Sequence, residues 1–147
     1  MPKKILVVDD EEKIRDLIKN YLESEGFNVL QAADGAEALE LIDKHNLNPD
    51  LVILDWLMPG LTGLEVCRQI RQKSNIPIIM LTAKSEEIDK LLGLEIGADD
   101  YITKPFSLRE LTARIKVVLR RADLSLDKKD DLIKAGGLEI NLSRHEV

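Results

Sequence analysis

The sequence predicts an α/β domain built on a parallel sheet with helices on both faces. Two continuous aliphatic runs, residues 5–8 and 51–54, read as short strands buried on both sides. Each run ends in a polar break and is followed by an amphipathic stretch at helical spacing. Strand and helix then alternate five times, the pattern of a parallel sheet joined by right-handed crossovers.

Taken in order, the first strand ends in Asp9-Asp10-Glu11-Glu12, acids that suit the positive end of a helix dipole. The first helix carries Ile14, Leu17, Ile18, Tyr21 and Leu22 on one face, and Gly26 ends it. Residues 27–32 read as a second strand. Asp34 and Glu37 have the spacing of a capping box, and Ala38, Leu39, Leu41 and Ile42 give the next helix its apolar face. Residues 46–49 break that helix before the third strand, which delivers Asp55 and stops at Pro59-Gly60. Thr62 and Glu65 cap a helix to about Arg71. The fourth strand spans 76–82, with Pro77 at its start, where a missing N–H costs least. Ser85 caps a helix to about Ile96, stopped by Gly97. The fifth strand, 100–103, breaks at Lys104-Pro105, and Ser107 with Glu110 caps a last helix to about Arg121.

Composition narrows the class. The chain has 147 residues, room for one ordinary domain and a fragment, with 44% hydrophobic and 33% charged residues. Aromatics are 3%, so the core is aliphatic. A net charge of −6 gives no general affinity for nucleic acid, although a local basic patch is compatible with it. Cys67 is the one cysteine, which excludes an internal disulfide and an all-cysteine zinc site; its place on an apolar helix face reads as core. No apolar run approaches the ~20 residues of a membrane span, and Lys3-Lys4 is not followed by a leader-like segment. The expected location is the cytoplasm, with no membrane partner.

Four strand ends carry polar groups: Asp9-Asp10, Asp55, Thr82 and Lys104. Singly, each has a plain reading as helix cap, strand terminus or solvated turn lysine, and Tyr101 as a half-buried strand aromatic. In a doubly wound sheet they converge on one edge, where ligands bind. Three carboxylates there repel and raise one another's pKa unless a hard cation joins them. Mg²⁺ takes oxygen ligands, and Asp10, Asp55 and the carbonyl of Leu57 are the expected donors. Asp55 is then suited to attack phosphorus as a carboxylate nucleophile, with Lys104 neutralising the phosphoryl oxygens. A carboxylate needs no general base, which fits a chain whose histidines, His45 and His145, lie away from the strand ends.

VVDDE, LVILDWLMPGLTGLEV, IPIIMLTAK and GADDYITKPF together resemble the receiver domain of two-component response regulators. The resemblance implies a flavodoxin-like five-stranded sheet of order 2-1-3-4-5 with five helices, (βα)5. It implies Asp55 as phosphoacceptor, Asp9 and Asp10 as the acidic metal pocket, and Thr82 and Lys104 on the phosphoryl oxygens. Tyr101 becomes the aromatic whose ring turns inward when Thr82 moves, and the Lys104–Pro105 bond is expected to be cis. A sensor histidine kinase is the implied partner and Mg²⁺ the implied cofactor. Such a protein is a phosphoacceptor switch and not a multiple-turnover enzyme. The rival readings are a stand-alone receiver that relays phosphate or binds a protein partner, and an aspartyl-nucleophile phosphatase. The haloacid-dehalogenase type of phosphatase needs a second acid two residues after the first, where this chain has Leu57.

The ending GLEIGADDYITKPFSLRELTARIKVVLRR resembles the OmpR/PhoB subfamily, which carries a winged-helix DNA-binding domain. The expected division is a receiver over 1–121, a linker over 122–131, and over 132–147 the first strands of that second domain, truncated. DNA binding is expected only through the missing part. Ile88, Leu91, Leu92, Leu94 and Ile96 spread over roughly 200° of their helix at about 100° per residue, more than one core needs. Leu91 and Leu94 are the excess. In the resembled subfamily this helix, the fifth strand and the last helix form a two-fold dimer on phosphorylation. Lys90 is expected to pair with Glu110, and Asp99 or Asp100 with Arg114 or Arg121, across an isologous contact.

Overall fold

Period-two alternation along the central strands sorts their side chains between two apolar layers. The computed structural model describes residues 2–56, 58, 60–83 and 97–134, and of residues 125–134 only the helical backbone. The strands are β1 (Lys4–Val8), β2 (Asn28–Ala32), β3 (Leu51–Asp55), β4 (Ile78–Ala83) and β5 (Asp100–Lys104). The helices described are α1 (Glu12–Ser24), α2 (Gly35–Asp43), α3 (Gly63–Lys73) and α4 (Leu108–Lys134). All strand pairs are parallel, in the order β2-β1-β3-β4-β5. The flavodoxin-like sheet that the sequence predicts is the sheet observed. The helix expected over 85–96 lies outside the described residues.

Leu6, Val8, Val52, Leu54, Ile78 and Met80 face one layer with Ala38 of α2 and Val66, Cys67 and Ile70 of α3. Ile5, Val7, Leu51, Ile53, Ile79 and Leu81 face the other with Ile18 and Leu22 of α1 and Leu111 and Ile115 of α4. Helices on both faces leave the central strands no solvated side, which is why their sequences are apolar throughout. Leu17, expected on the buried face of α1, is 56% exposed. Only the stripe around Ile18 and Leu22 meets the sheet, and Leu17 lies about 100° from Ile18 around the helix.

Local signals set the helix starts. Asp34 accepts from the Glu37 N–H at 2.8 Å, and Glu37 reaches back to the Ala33 N–H at 2.7 Å, closing a reciprocal cap. Thr62 accepts from the Glu65 N–H at 3.2 Å, and Ser107 from that of Glu110 at 2.9 Å. At α1 the acids act differently from expectation. The N-cap Glu11 makes no side-chain cap bond; instead Asp9 Oδ1 accepts from the Glu11 N–H at 2.9 Å.

The last helix runs beyond Arg121, through the residues expected to be a linker and into 132–134, where a strand was expected. Residues 122–134 contain no glycine or proline, and Ala, Leu and Lys among them favour helix. Polar composition without period misled the reading, since the first backbone breaker is Gly136-Gly137.

Gly63 ties β3 to α3. Its N–H donates to the Trp56 carbonyl at 2.9 Å. A Cβ at this position would stand 2.5 Å from the Asp55 carbonyl oxygen and 3.0 Å from Trp56 Cα, both backbone atoms that cannot swing aside. Gly63→Ala is therefore expected to lower stability by about 1–3 kcal/mol. Urea unfolding of the two proteins checks it, and equal midpoints would show that α3 can slide.

Candidate functional site

Strand register assembles the site. Val8 pairs with Leu54 and Asp55 with Leu81, so Asp9 and Asp55 emerge side by side with Thr82 one residue on along β4. Ala83 pairs with Lys104, which brings the lysine to the same edge. The strand order reverses between β1 and β3, the crevice where ligands of doubly wound sheets bind.

Ligand atoms of Asp9, Asp10 and Asp55 lie within 4.8 Å of one another. Lys104 Nζ donates to Asp55 Oδ1 at 3.2 Å and stands 3.8 Å from Asp9 Oδ2. Among the described residues, three carboxylates thus face one ammonium. Asp9 is fully buried and Asp55 is 6% exposed, so solvent screens them little. Burial first, then the Asp9 and Asp10 charges, push the Asp55 carboxyl from the ordinary 3.8 up to about 6 against the pull of Lys104. Burial also raises the Asp9 carboxyl, opposed by the Glu11 N–H and Lys104.

Among the described residues, Asp9 Oδ2 and Thr82 Oγ1 are buried polar atoms with no hydrogen-bond partner. A buried carboxylate oxygen without a donor costs several kcal/mol by order of magnitude. All-oxygen donors and surplus negative charge are what a hard divalent cation requires. The residues present therefore fit a metal ion.

The other expected residues divide into groups. Tyr101 is half-buried on β5 and packs against the layer that holds α2 and α3. The Lys104–Pro105 bond is cis, as expected. Trp56 is buried in the same layer as Tyr101, turned from Asp55 by strand alternation. Leu57, Lys90, Leu91 and Leu94 lie outside the described residues.

Asp99 and Asp100, expected to pair across a dimer, have partners within the chain. Asp99 Oδ2 accepts from the Ile78 N–H at 2.7 Å and from Arg71 Nη2 at 2.8 Å. Arg71 also donates to the Gly97 carbonyl at 2.9 Å and the Ile76 carbonyl at 2.6 Å, bracing the start of β5 against α3. Arg114 Nη1 donates to both Asp100 oxygens at 3.0 Å, and its Nε lies 3.5 Å from Glu110. The Asp100 hydrogen bonds raise the Arg114 pKa. Arg121 is exposed.

Sequence reasoning missed Arg15 and Gln31. Arg15 donates to the Asp9 carbonyl at 2.7 Å and to Gln31 Oε1 at 2.9 Å. No periodic signal links these positions, because the bond joins α1 to β2 across the sheet edge.

Comparison with known proteins now decides the family, since the response regulator receiver domain matches residues 5–116. The chain belongs to the response regulator receiver domain family. This receiver is 50% identical, over all of its length, to the alkaline phosphatase synthesis transcriptional regulatory protein PhoP of Bacillus subtilis. The chain spans 64% of that protein. The likeness agrees with the narrower resemblance to the OmpR/PhoB subfamily. The receiver domain of the Francisella response regulator 1452 is 41% identical, with a TM-score of 0.76 over 82% of this chain and 98% of that one. NtrX from Brucella abortus is 31% identical, with a TM-score of 0.85 over 94% of this receiver and 31% of that chain.

A raised Asp55 pKa fixes the sign of a stability effect. The folded receiver binds this proton more tightly than the unfolded chain, so stability falls as pH rises from 3.8 to about 6 and stays reduced above it. Asp55→Asn removes the burden. It is expected to stabilise the metal-free protein by about 1–3 kcal/mol at pH 7.5, the gain shrinking towards pH 4. Urea melts in EDTA across that range read it; a gain independent of pH would place its origin elsewhere.

Proposed function

We propose that this receiver is the phosphoacceptor switch of a two-component system, and that Asp55 takes a phosphoryl group from a sensor histidine kinase. The observation that carries the reading is the Asp55 carboxylate at a strand end, 3.2 Å from the Lys104 ammonium and beside an Asp9 oxygen that has no hydrogen-bond donor among the described residues. Mg²⁺, when bound, supplies positive charge against the phosphoryl oxygens. Asp9, Asp10 and Asp55, with the Leu57 carbonyl, are the residues that would hold it.

An ionised Asp55 oxygen attacks phosphorus and forms the new O–P bond. The N–P bond of the phosphohistidine breaks, and its electron pair returns to the imidazole nitrogen. Lys104 follows the charge from the carboxylate to a phosphoryl oxygen. Thr82, buried next to Asp55 and with no hydroxyl partner among the described residues, supplies a donor to another oxygen. The chain is a switch that takes part in its own phosphorylation.

Movement of Thr82 towards the phosphoryl group leaves room for Tyr101 to turn inward. Phosphorylation then biases the face that includes β5 and α4 towards a two-fold dimer, a population shift between two states. Asp100 and Arg114 are already paired within the chain, so the dimer requires these ions to be shared or exchanged. In a longer protein with a winged-helix domain, this step would bring two such domains to DNA and control transcription in the cytoplasm.

Incubation with acetyl phosphate tests the reading. Intact mass is expected to rise by about 80 Da, one phosphoryl group, only with Mg²⁺ and not in Asp55→Asn. Size exclusion of the same sample is expected to show a dimer. A folded protein that gains no mass with Mg²⁺ present would overturn the assignment of Asp55.

A further inference from the structure

We infer that Arg15 and Gln31 are positioning residues for the acidic pocket: together they hold the β1–α1 turn in the arrangement that aims Asp10 at the cation. The inference rests on the metal-binding reading above.

The Arg15 guanidinium is not a partner of the carboxylates. Its Nη1 donates to the main-chain carbonyl of Asp9 at 2.7 Å, and its Nε donates to Gln31 Oε1 at 2.9 Å. Gln31 Nε2 in turn donates to Asp16 Oδ1 at 3.1 Å. The network runs from α1 to β2 and back to α1, with the Asp9 carbonyl as its other contact. A planar guanidinium holds such a fork in one geometry, which a lysine cannot reproduce.

The carbonyl it holds belongs to the peptide that joins Asp9 to Asp10. Rotation of that peptide would swing Asp10 about the end of β1. Two other bonds limit the rotation, one before the peptide and one spanning it. The Asp9 N–H donates to the Ala32 carbonyl at 3.2 Å, and Asp9 Oδ1 accepts from the Glu11 N–H at 2.9 Å. The Arg15 N–H also donates to the Glu11 carbonyl at 3.1 Å, which seats α1 itself. Asp10 is exposed and its side chain has no hydrogen-bond or ion-pair partner among the described residues, so its direction comes from the backbone beneath it. Asp9 and Asp55, by contrast, are buried and fixed by packing. Asp9 is further tied by its bond to the Glu11 N–H, so of the three carboxylates Asp10 depends most on the turn backbone.

Arg15 carries a positive charge close to the proposed cation, and by Coulomb repulsion alone its removal would tighten binding. Geometry and charge therefore predict opposite outcomes, and variants can separate them. Gln31→Leu and Arg15→Lys keep the charge and break the fork. Both are expected to weaken Mg²⁺ about tenfold, at the lower end of what lost outer-shell support costs metal sites. Trp56, the single tryptophan and the neighbour of Asp55, gives a fluorescence readout for a titration with MgCl₂ alone. Calorimetry provides the same constant independently. At saturating Mg²⁺ the variants are expected to accept phosphoryl from acetyl phosphate at the parent rate, because only the affinity for the ion has changed. Thermal melts in EDTA show whether each variant is folded. Folded variants with the parent's Mg²⁺ affinity would overturn the inference, as would tighter binding in Arg15→Ala. A parent chain that binds no Mg²⁺ would instead overturn the reading of the pocket itself.

Discussion

Surplus negative charge at the carboxyl edge of the sheet is the constraint on which the rest of this structure depends. Asp9 and Asp55 are buried within reach of one another and of Asp10, and Lys104 is the one cation seen to pair with them among the described residues. Such an arrangement is costly for a fold to keep. It raises the Asp55 carboxyl to about 6 and leaves an Asp9 oxygen without a donor. The same features become useful when a cation and a phosphoryl group arrive. Positive charge then has acceptors waiting, and Lys104 can follow the new negative charge.

A rigid frame is needed to hold like charges together. The two aliphatic layers supply it, with strand residues alternating between the α2/α3 face and the α1/α4 face. Close approach of Gly63 to the Asp55 backbone fixes α3 against the end of β3. Arg71 and Asp99 do the same for the start of β5, at the opposite end of the strand that carries Lys104. Arg15 and Gln31 brace the turn after β1. The polar ties lie at strand ends, where backbone groups leave the ladder and need new partners.

The central strands and the position of Asp55 were legible because parallel strands covered on both faces must be apolar throughout. An acid at the end of such a run stands out. The capping pair of Asp34 and Glu37 was legible for a local reason, since both bonds span only a few residues. Approach of Lys104 to Asp55 spans 49 positions, and periodicity is silent about it; the convergence of strand ends in a doubly wound sheet suggested it, and resemblance to a known family added its role. Arg15 and Gln31 had neither a period nor a family role to mark them. Leu17 misled because a helical stripe can be wider than the surface that covers it. Residues 122–134 misled because charge was taken as a sign of linker, while the absence of glycine and proline left helix open to them.

The central claim is that the fold holds Asp55 at an unfavourable ionisation which a divalent cation relieves. Carbon-13 NMR of the aspartate side-chain carboxyls, with Asp55 assigned by its loss in Asp55→Asn, measures this directly. Without divalent ions the Asp55 carboxyl is expected to titrate near 6 and, on addition of Mg²⁺, to shift to lower pH. Titration near the ordinary 3.8, unmoved by Mg²⁺, would contradict the account.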